Sequence, residues 1–193
     1  DVFEENGTWQ GAGLVSQNSK IRVRIVTRNA NDRVDGAFWS RRVAYAWNHR
    51  KVTMGGRALP GCEPDTNCCR VVFSEADGMP GLIVDRYEHV LVTQVGTVGM
   101  ELLKPVVYPL LLSTLRADGQ DVRAIYERND SPSRAKEGLP QEKGWWVGDG
   151  AEAPDDARIQ VVENGLAFDL NIENSQKTGF FPDQKYNRRA VRE

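Results

Sequence analysis

Between residues 70 and 172 the chain breaks and restarts every few residues, and that rhythm limits its fold more than any other feature. Short apolar or alternating runs at 70–73, 82–84, 89–95, 122–126, 145–147, 159–162 and 166–172 read as strands, because period-two patterning suits a pleated, half-buried surface. Ala76-Asp77-Gly78-Met79-Pro80-Gly81 is a turn, and Asn164-Gly165 is a strong two-residue hairpin signal. One stretch, 99–116, has helical spacing, with Leu103, Val107, Leu110, Leu111 and Leu115 on one side. Pro105 fits a first turn there, whereas Pro109 predicts a kink or a later start. The sum is an antiparallel α+β domain over 66–172 in which strands outnumber helices. An acidic loop crosses 149–156.

Upstream, residues 1–30 read as β, punctuated by Gly7, Gly11 and Gly13. The alternation from Ile21 to Ile25 puts Lys20, Arg22 and Arg24 in phase on one strand face, suited to phosphates or simply to water. Residues 35–50 form an amphipathic helix with Asp35 as N-cap and Phe38 or Trp39, Val43, Ala46 and Trp47 as packing residues. With the loop after it, this helix makes 31–65 a linker. Three cysteines, Cys62, Cys68 and Cys69, form an odd, clustered set that fits a reducing cytoplasm better than a disulfide framework and offers no four-ligand zinc spacing. With 193 residues, 40% hydrophobic, the chain has material for one sizeable core or two small ones. A net charge of -2 is not the footprint of a strongly basic nucleic-acid binder, so any RNA contact is local. No apolar run of bilayer length is read from the sequence.

The densest chemistry lies at 174–189. Lys177, Phe180, Phe181, Asp183 and Gln184 cluster around Gly179 and Pro182, which set a turn. The two rings suit stacking against a planar ligand, with Asp183 and Gln184 bonding around it; the alternative is a plain surface turn with a Phe in the core. Two charged clusters, Glu75/Asp77/Asp85/Arg86 and Glu127/Arg128/Asp130/Arg134/Lys136/Glu137, read as surface ion pairs, loop braces or a substrate groove. There is no Gly-rich phosphate loop, Gly-x-Ser-x-Gly elbow or Walker motif.

Taken together, four ordered blocks resemble the class I rRNA cytosine-C5 methyltransferases. They are Arg70 to Tyr87, with Met79 where the family usually has Leu; Ile125 to Asp130 with Arg134 and Glu137-Gly138-Leu139; Glu163-Asn164-Gly165-Leu166; and Gln176 to Lys185. Ser175, Pro182 and Lys185 depart from the family's usual residues. Ser19 to Arg24 resembles the closing strand of the family's N-terminal PUA domain.

The resemblance implies the end of a PUA-like RNA-binding barrel at 1–30, the linker at 31–65, a central EEHEE-type domain at 66–172, and the opening segment of a Rossmann-like methyltransferase domain at 173–193. The catalytic domain itself, with the Gly-rich cofactor loop and the nucleophilic cysteine, is expected outside this chain, so the chain is expected to be inactive alone. The implied function is RNA recognition within an S-adenosylmethionine-dependent rRNA methyltransferase, cytoplasmic, with ribosomal RNA as partner and no membrane; a homodimer is one open arrangement. Lys177, Thr178, Phe180, Phe181, Asp183 and Gln184 are the implied cofactor residues, and Lys20, Arg22, Arg24, Lys185, Arg188 and Arg189 the implied RNA contacts. A stand-alone RNA-binding module without catalysis is the alternative.

Overall fold

The computed structural model describes residues 1–53 and 66–192. Cys62 therefore lies outside the described residues. The centre is a five-stranded sheet in the order β4-β5-β6-β7-β8, formed by Cys68–Phe73, Leu82–Tyr87, Val90–Val95, Ala124–Asn129 and Glu142–Trp145. Three of its pairings are antiparallel, but β6 and β7 run parallel. This corrects the wholly antiparallel expectation, and the connection supplies the reason. A 20-residue helix, α2 (Val98–Ala117), carries the chain back along the sheet, so the next strand starts from the same end.

Residues alternate across this sheet between two cores. Leu91 faces a helical layer while its neighbours Val90 and Val92 face the opposite side. The helical layer consists of α2 and α1 (Gly36–Thr53), whose Phe38, Trp39, Val43, Ala46 and Trp47 pack with Met100, Val107, Tyr108, Leu111, Leu112 and Leu115. The segment expected as a linker thus contributes a helix to the main core, and Asp35 caps it by accepting a hydrogen bond from the Phe38 N–H at 2.9 Å. On the other face lies a hairpin, β9 (Arg158–Glu163) and β10 (Leu166–Asn171), closed by Asn164 and Gly165, both with positive φ. Its Ile159, Val161 and Leu170 pack, with Ile172 just beyond, against Tyr87, Val90, Val92, Ala124 and Tyr126.

Two further expectations change. α2 runs unbroken through Pro105 and Pro109. By length and composition it is also apolar enough to cross a membrane, which corrects the expectation of no apolar run of bilayer length. Its inner face is a core face here, with Val107, Tyr108, Leu111 and Leu115 fully buried.

The first 30 residues form a separate three-stranded antiparallel sheet of β1 (Val2–Phe3), β2 (Trp9–Val15) and β3 (Val23–Thr27). It docks on the central unit at specific points. Leu14 lies where a side chain on Gly99 would be, Arg42 donates to the Val26 carbonyl at 2.8 Å, and Arg24 pairs with Glu137 at 3.1 Å.

Candidate functional site

The segment 174–184 lies over the end of the central sheet and leads into α3 (Lys185–Arg192). It is tied down through β5. Asp85, fully buried, accepts two hydrogen bonds from Arg70 at 2.9 and 3.0 Å and a third from the Thr178 hydroxyl at 2.6 Å. Two residues on, the Tyr87 hydroxyl meets the Phe180 carbonyl at 2.9 Å, the Phe180 N–H at 3.0 Å and the Thr178 hydroxyl at 3.1 Å. Burial pushes the Tyr87 phenol up from its ordinary value, so it remains a neutral donor. Period-two geometry puts Asp85 and Tyr87 on the same strand face, where both meet this one turn. The β5 residues Asp85 and Tyr87 thereby fix a turn that sits 93 residues later in the chain.

Phe180 points inward, its ring 5.3 Å from that of Phe168, with the Arg188 guanidinium 4.4 Å above it. Arg188 also makes a bidentate pair with the buried Glu163 at 2.6 and 2.8 Å and donates to the Phe181 carbonyl. Phe181 carries the Lys177 ammonium at 4.8 Å from its ring centre, and Lys177 itself has a φ of 52°. Beyond these, Pro182, Asp183, Lys185 and Tyr186 close over the edge strand β4 and bound a half-open cavity of about 240 Å³. Its far wall is Arg50, Thr66, Cys68, Cys69 and Arg70.

The electrostatics of this cavity are uneven. A hydrogen bond from Gln184, with the Arg70 and Lys177 charges nearby, holds the Asp183 carboxyl below its ordinary range, so it is anionic at neutral pH. Burial pushes the Cys69 thiol up to about 12 and raises Cys68 as well. Both are inert, apolar wall groups, since only a thiolate is a competent nucleophile. Among the described residues, no group of three or more His, Cys, Asp or Glu is placed to hold a metal.

Of the sequence-derived residues, Asp183 and Lys185 line the cavity, whereas Thr178 and Phe180 hold the turn from within. Gln184 bonds to Asp183 and receives the Asn187 amide. Arg24 is committed to Glu137 and lies 3.9 Å from Glu75, far along the chain from this turn, while Arg22 donates to the Gln17 carbonyl. Arg22 and Arg24 thus meet Gln17, Glu75 and Glu137, and Arg188 meets Glu163 and Phe181. Arg50, Arg70 and Tyr186 were missed as wall residues. Their only sequence signal was a cationic or aromatic side chain next to a break in pattern, which does not reveal a contact across the fold.

The fold is a mixed α+β arrangement similar to that of solved putative SAM-dependent methyltransferases. A solved putative SAM-dependent methyltransferase from Streptococcus mutans superposes with a TM-score of 0.69 over 98% of this chain and 44% of its own, at 15% identity. A putative methyltransferase solved in complex with SAH gives the same TM-score at 14% identity. The chain is also 35% identical over 188 residues to the ribosomal RNA large subunit methyltransferase I of Shewanella amazonensis, and 35% identical over 192 residues to that of Alteromonas mediterranea. It spans 97% and 99% of its own length in these matches but 43% and 44% of the relatives. No family model matches.

Proposed function

We propose that this chain is the RNA-recognition and central portion of an S-adenosylmethionine-dependent rRNA methyltransferase acting on cytosine C5. Its three-stranded sheet at 1–30 is the end of a PUA-like unit, 66–172 the EEHEE-type centre, and 173–193 the opening of a Rossmann-like domain. One observation carries the reading: the turn at 177–184 is bound to buried Asp85 and Tyr87, and so presents anionic Asp183 at the mouth of a cavity walled by two arginines. The names of the curated relatives support methyl transfer and a ribosomal RNA substrate.

The donor set fits part of the cofactor. The Asp183 carboxylate, bonded to the Gln184 carboxamide, suits hydroxyl and ammonium groups, and Pro182 and Tyr186 give the cavity apolar surface. At about 240 Å³ the cavity is smaller than a full ligand pocket, typically about 300–1,000 Å³, so it encloses a fragment of such a molecule. The cofactor, when bound, supplies the methyl group. Lys177, Phe181, Asp183 and Gln184 border it, while Thr178 and Phe180 act as positioning residues. Lys20, Arg22, Arg24, Lys185, Arg188 and Arg189 are the proposed RNA contacts; of these Arg24 and Arg188 first exchange a carboxylate for a phosphate. Cys68 and Cys69 are too buried and too weakly acidic to attack a base, so in this reading the nucleophile belongs to the catalytic domain that the resemblance implies.

The test compares Asp183→Ala and Gln184→Ala in a protein of the relatives' full length. Losing one ligand hydrogen bond costs about 0.5–1.5 kcal/mol, more when a charged group is involved, and 1.4 kcal/mol is tenfold in rate. The expected result is a methylation rate reduced about tenfold or more by Asp183→Ala with melting unchanged. Parental rates in both variants would reduce this turn to a connector. Label transferred from S-adenosylmethionine to ribosomal RNA by residues 1–193 alone would overturn the assignment of the chemistry elsewhere.

A further inference from the structure

A second groove lies on the other side of Arg50. It has a volume of about 580 Å³ and runs between α1 and the turn after β4, bounded by Arg42, Tyr45, His49 and Arg50 on the helix and by Phe73 and Glu75 opposite. Two aromatic side chains are exposed there: Tyr45 is 62% and Phe73 48% exposed. Phe73 is firmly held. Asp77 accepts a hydrogen bond from its N–H at 2.5 Å and another from Arg50 at 2.5 Å, and the Arg70 guanidinium lies 5.1 Å from its ring centre. The strand ends on it because Ser74 turns the chain away with a φ of 47°. Arg41, Tyr45 and His49 follow at intervals of four along α1, which places them on one helix face. α1 has four Arg or Lys side chains and no Asp or Glu.

We infer that this groove binds unpaired RNA, with a nucleobase stacked between Tyr45 and Phe73 and the adjoining phosphates along Arg41, Arg42 and His49. The chemistry favours this occupant over the alternatives. A lone hydrophobic partner would not need a helix free of acidic residues, and duplex RNA keeps its bases stacked on each other, out of reach of side-chain rings. Rings presented beside cations are the usual platform for single strands, since every base has a face to stack. The existing pairs do not block this. The Arg41–Asp32 contact at 3.2 Å is a half-exposed surface pair worth little, and Arg42 donates to a carbonyl. Glu75, 68% exposed on its side chain, stands at the rim as an acceptor for an exocyclic amino group of a base. Arg50 walls both this groove and the cavity beside Asp183, so a strand lying here leads over β4 to the candidate site.

The inference rests on the reading of the chain as part of an RNA-modifying enzyme, but its test does not. A fluorescein-labelled, unstructured ten-nucleotide pyrimidine RNA is titrated with residues 1–193 and read by anisotropy. Stacking contributes about 1–3 kcal/mol per base, so Tyr45→Ala and Phe73→Ala are each expected to raise Kd about 5- to 150-fold. Tyr45→Phe should bind within about twofold of the parent, because the ring remains. A ten-residue abasic oligomer should bind weakly and equally to all of these proteins, and a duplex of the same length should not distinguish them. No binding of the decamer, unchanged Kd in both alanine variants, or equal losses on the abasic oligomer would each overturn the proposal. Methyl transfer in the full-length protein reports separately: its absence with ring-dependent RNA binding intact would overturn the enzyme reading and leave the groove standing.

Discussion

Asp85 shows how much of this protein hangs on single buried groups. Its carboxylate is wholly enclosed and satisfied by Arg70 and Thr178, while Arg70 retains 32% side-chain exposure. The two ends of the pair are therefore unequal. Arg70→Met strands an ion with no access to water, and removing one partner of a buried pair costs about 3–5 kcal/mol. Asp85→Asn leaves a guanidinium that can turn toward solvent and an amide that still meets Thr178, so a smaller loss of about 1–3 kcal/mol is expected. Urea denaturation of both variants checks the order. A larger loss for Asp85→Asn would mean that the Thr178 bond, rather than the ion pair, governs the site.

At the scale of elements, the junction between α1 and α2 contains a titrating clasp. Asp118, at the C-terminal end of α2, accepts a hydrogen bond from the Trp47 indole at 2.9 Å and pairs with Lys51 at 2.8 Å. Burial pushes its pKa up, but the bonds from Lys51 and Trp47 outweigh that and leave it lowered. A carboxyl depressed in the folded state contributes stability above its unfolded pKa, about 3.9, and loses that contribution as pH falls through the lower folded value. Melting temperature should therefore fall as pH drops below about 4. In Asp118→Asn that part of the fall should be shallower, and the variant should be less stable than the parent at pH 7. Identical acid profiles would show that the clasp is open in solution.

For the whole molecule, the question is how firmly the N-terminal sheet is held. Its docking depends on a few contacts, of which the Arg24–Glu137 pair is the most enclosed, with side-chain exposures of 17% and 5%. Glu137→Ala leaves Arg24 without that partner and is expected to loosen residues 1–30 while the central core stays folded. Limited proteolysis should then cut first in the segment between β2 and β3, at least several-fold faster than in the parent, with the main melting transition nearly unchanged. Cleavage at the parental rate would assign the docking to Leu14 against Gly99 and to Arg42 instead. The core of 66–172 is not built from that segment alone. Five buried residues of α1 complete its core, and deleting them would expose one face of α2 and the sheet.

Local physics was enough to read most of the elements, although β8 falls at Glu142–Trp145 rather than at 145–147. Period-two alternation marked the strands, Asn164-Gly165 set a hairpin because both positions take positive φ, and Asp35 capped a helix whose apolar residues recur at 3.6 spacing. The motif around Gly179 and Pro182 also marked the turn that carries Asp183. Other features depend on partners far apart in the chain. The parallel pairing of β6 with β7, the unbroken course of α2 through two prolines, and the recruitment of α1 to the core all follow from which surfaces meet once the sheet has formed. The site shows the same division. Sequence placed Thr178, Phe180 and Asp183 in one segment, but only the fold turned Thr178 and Phe180 inward onto Asp85 and Tyr87, leaving Asp183 at the cavity. A spacing rule describes neighbours along the chain, whereas a buried hydrogen bond across 93 residues is selected by the cost of leaving its groups unpaired in the assembled core.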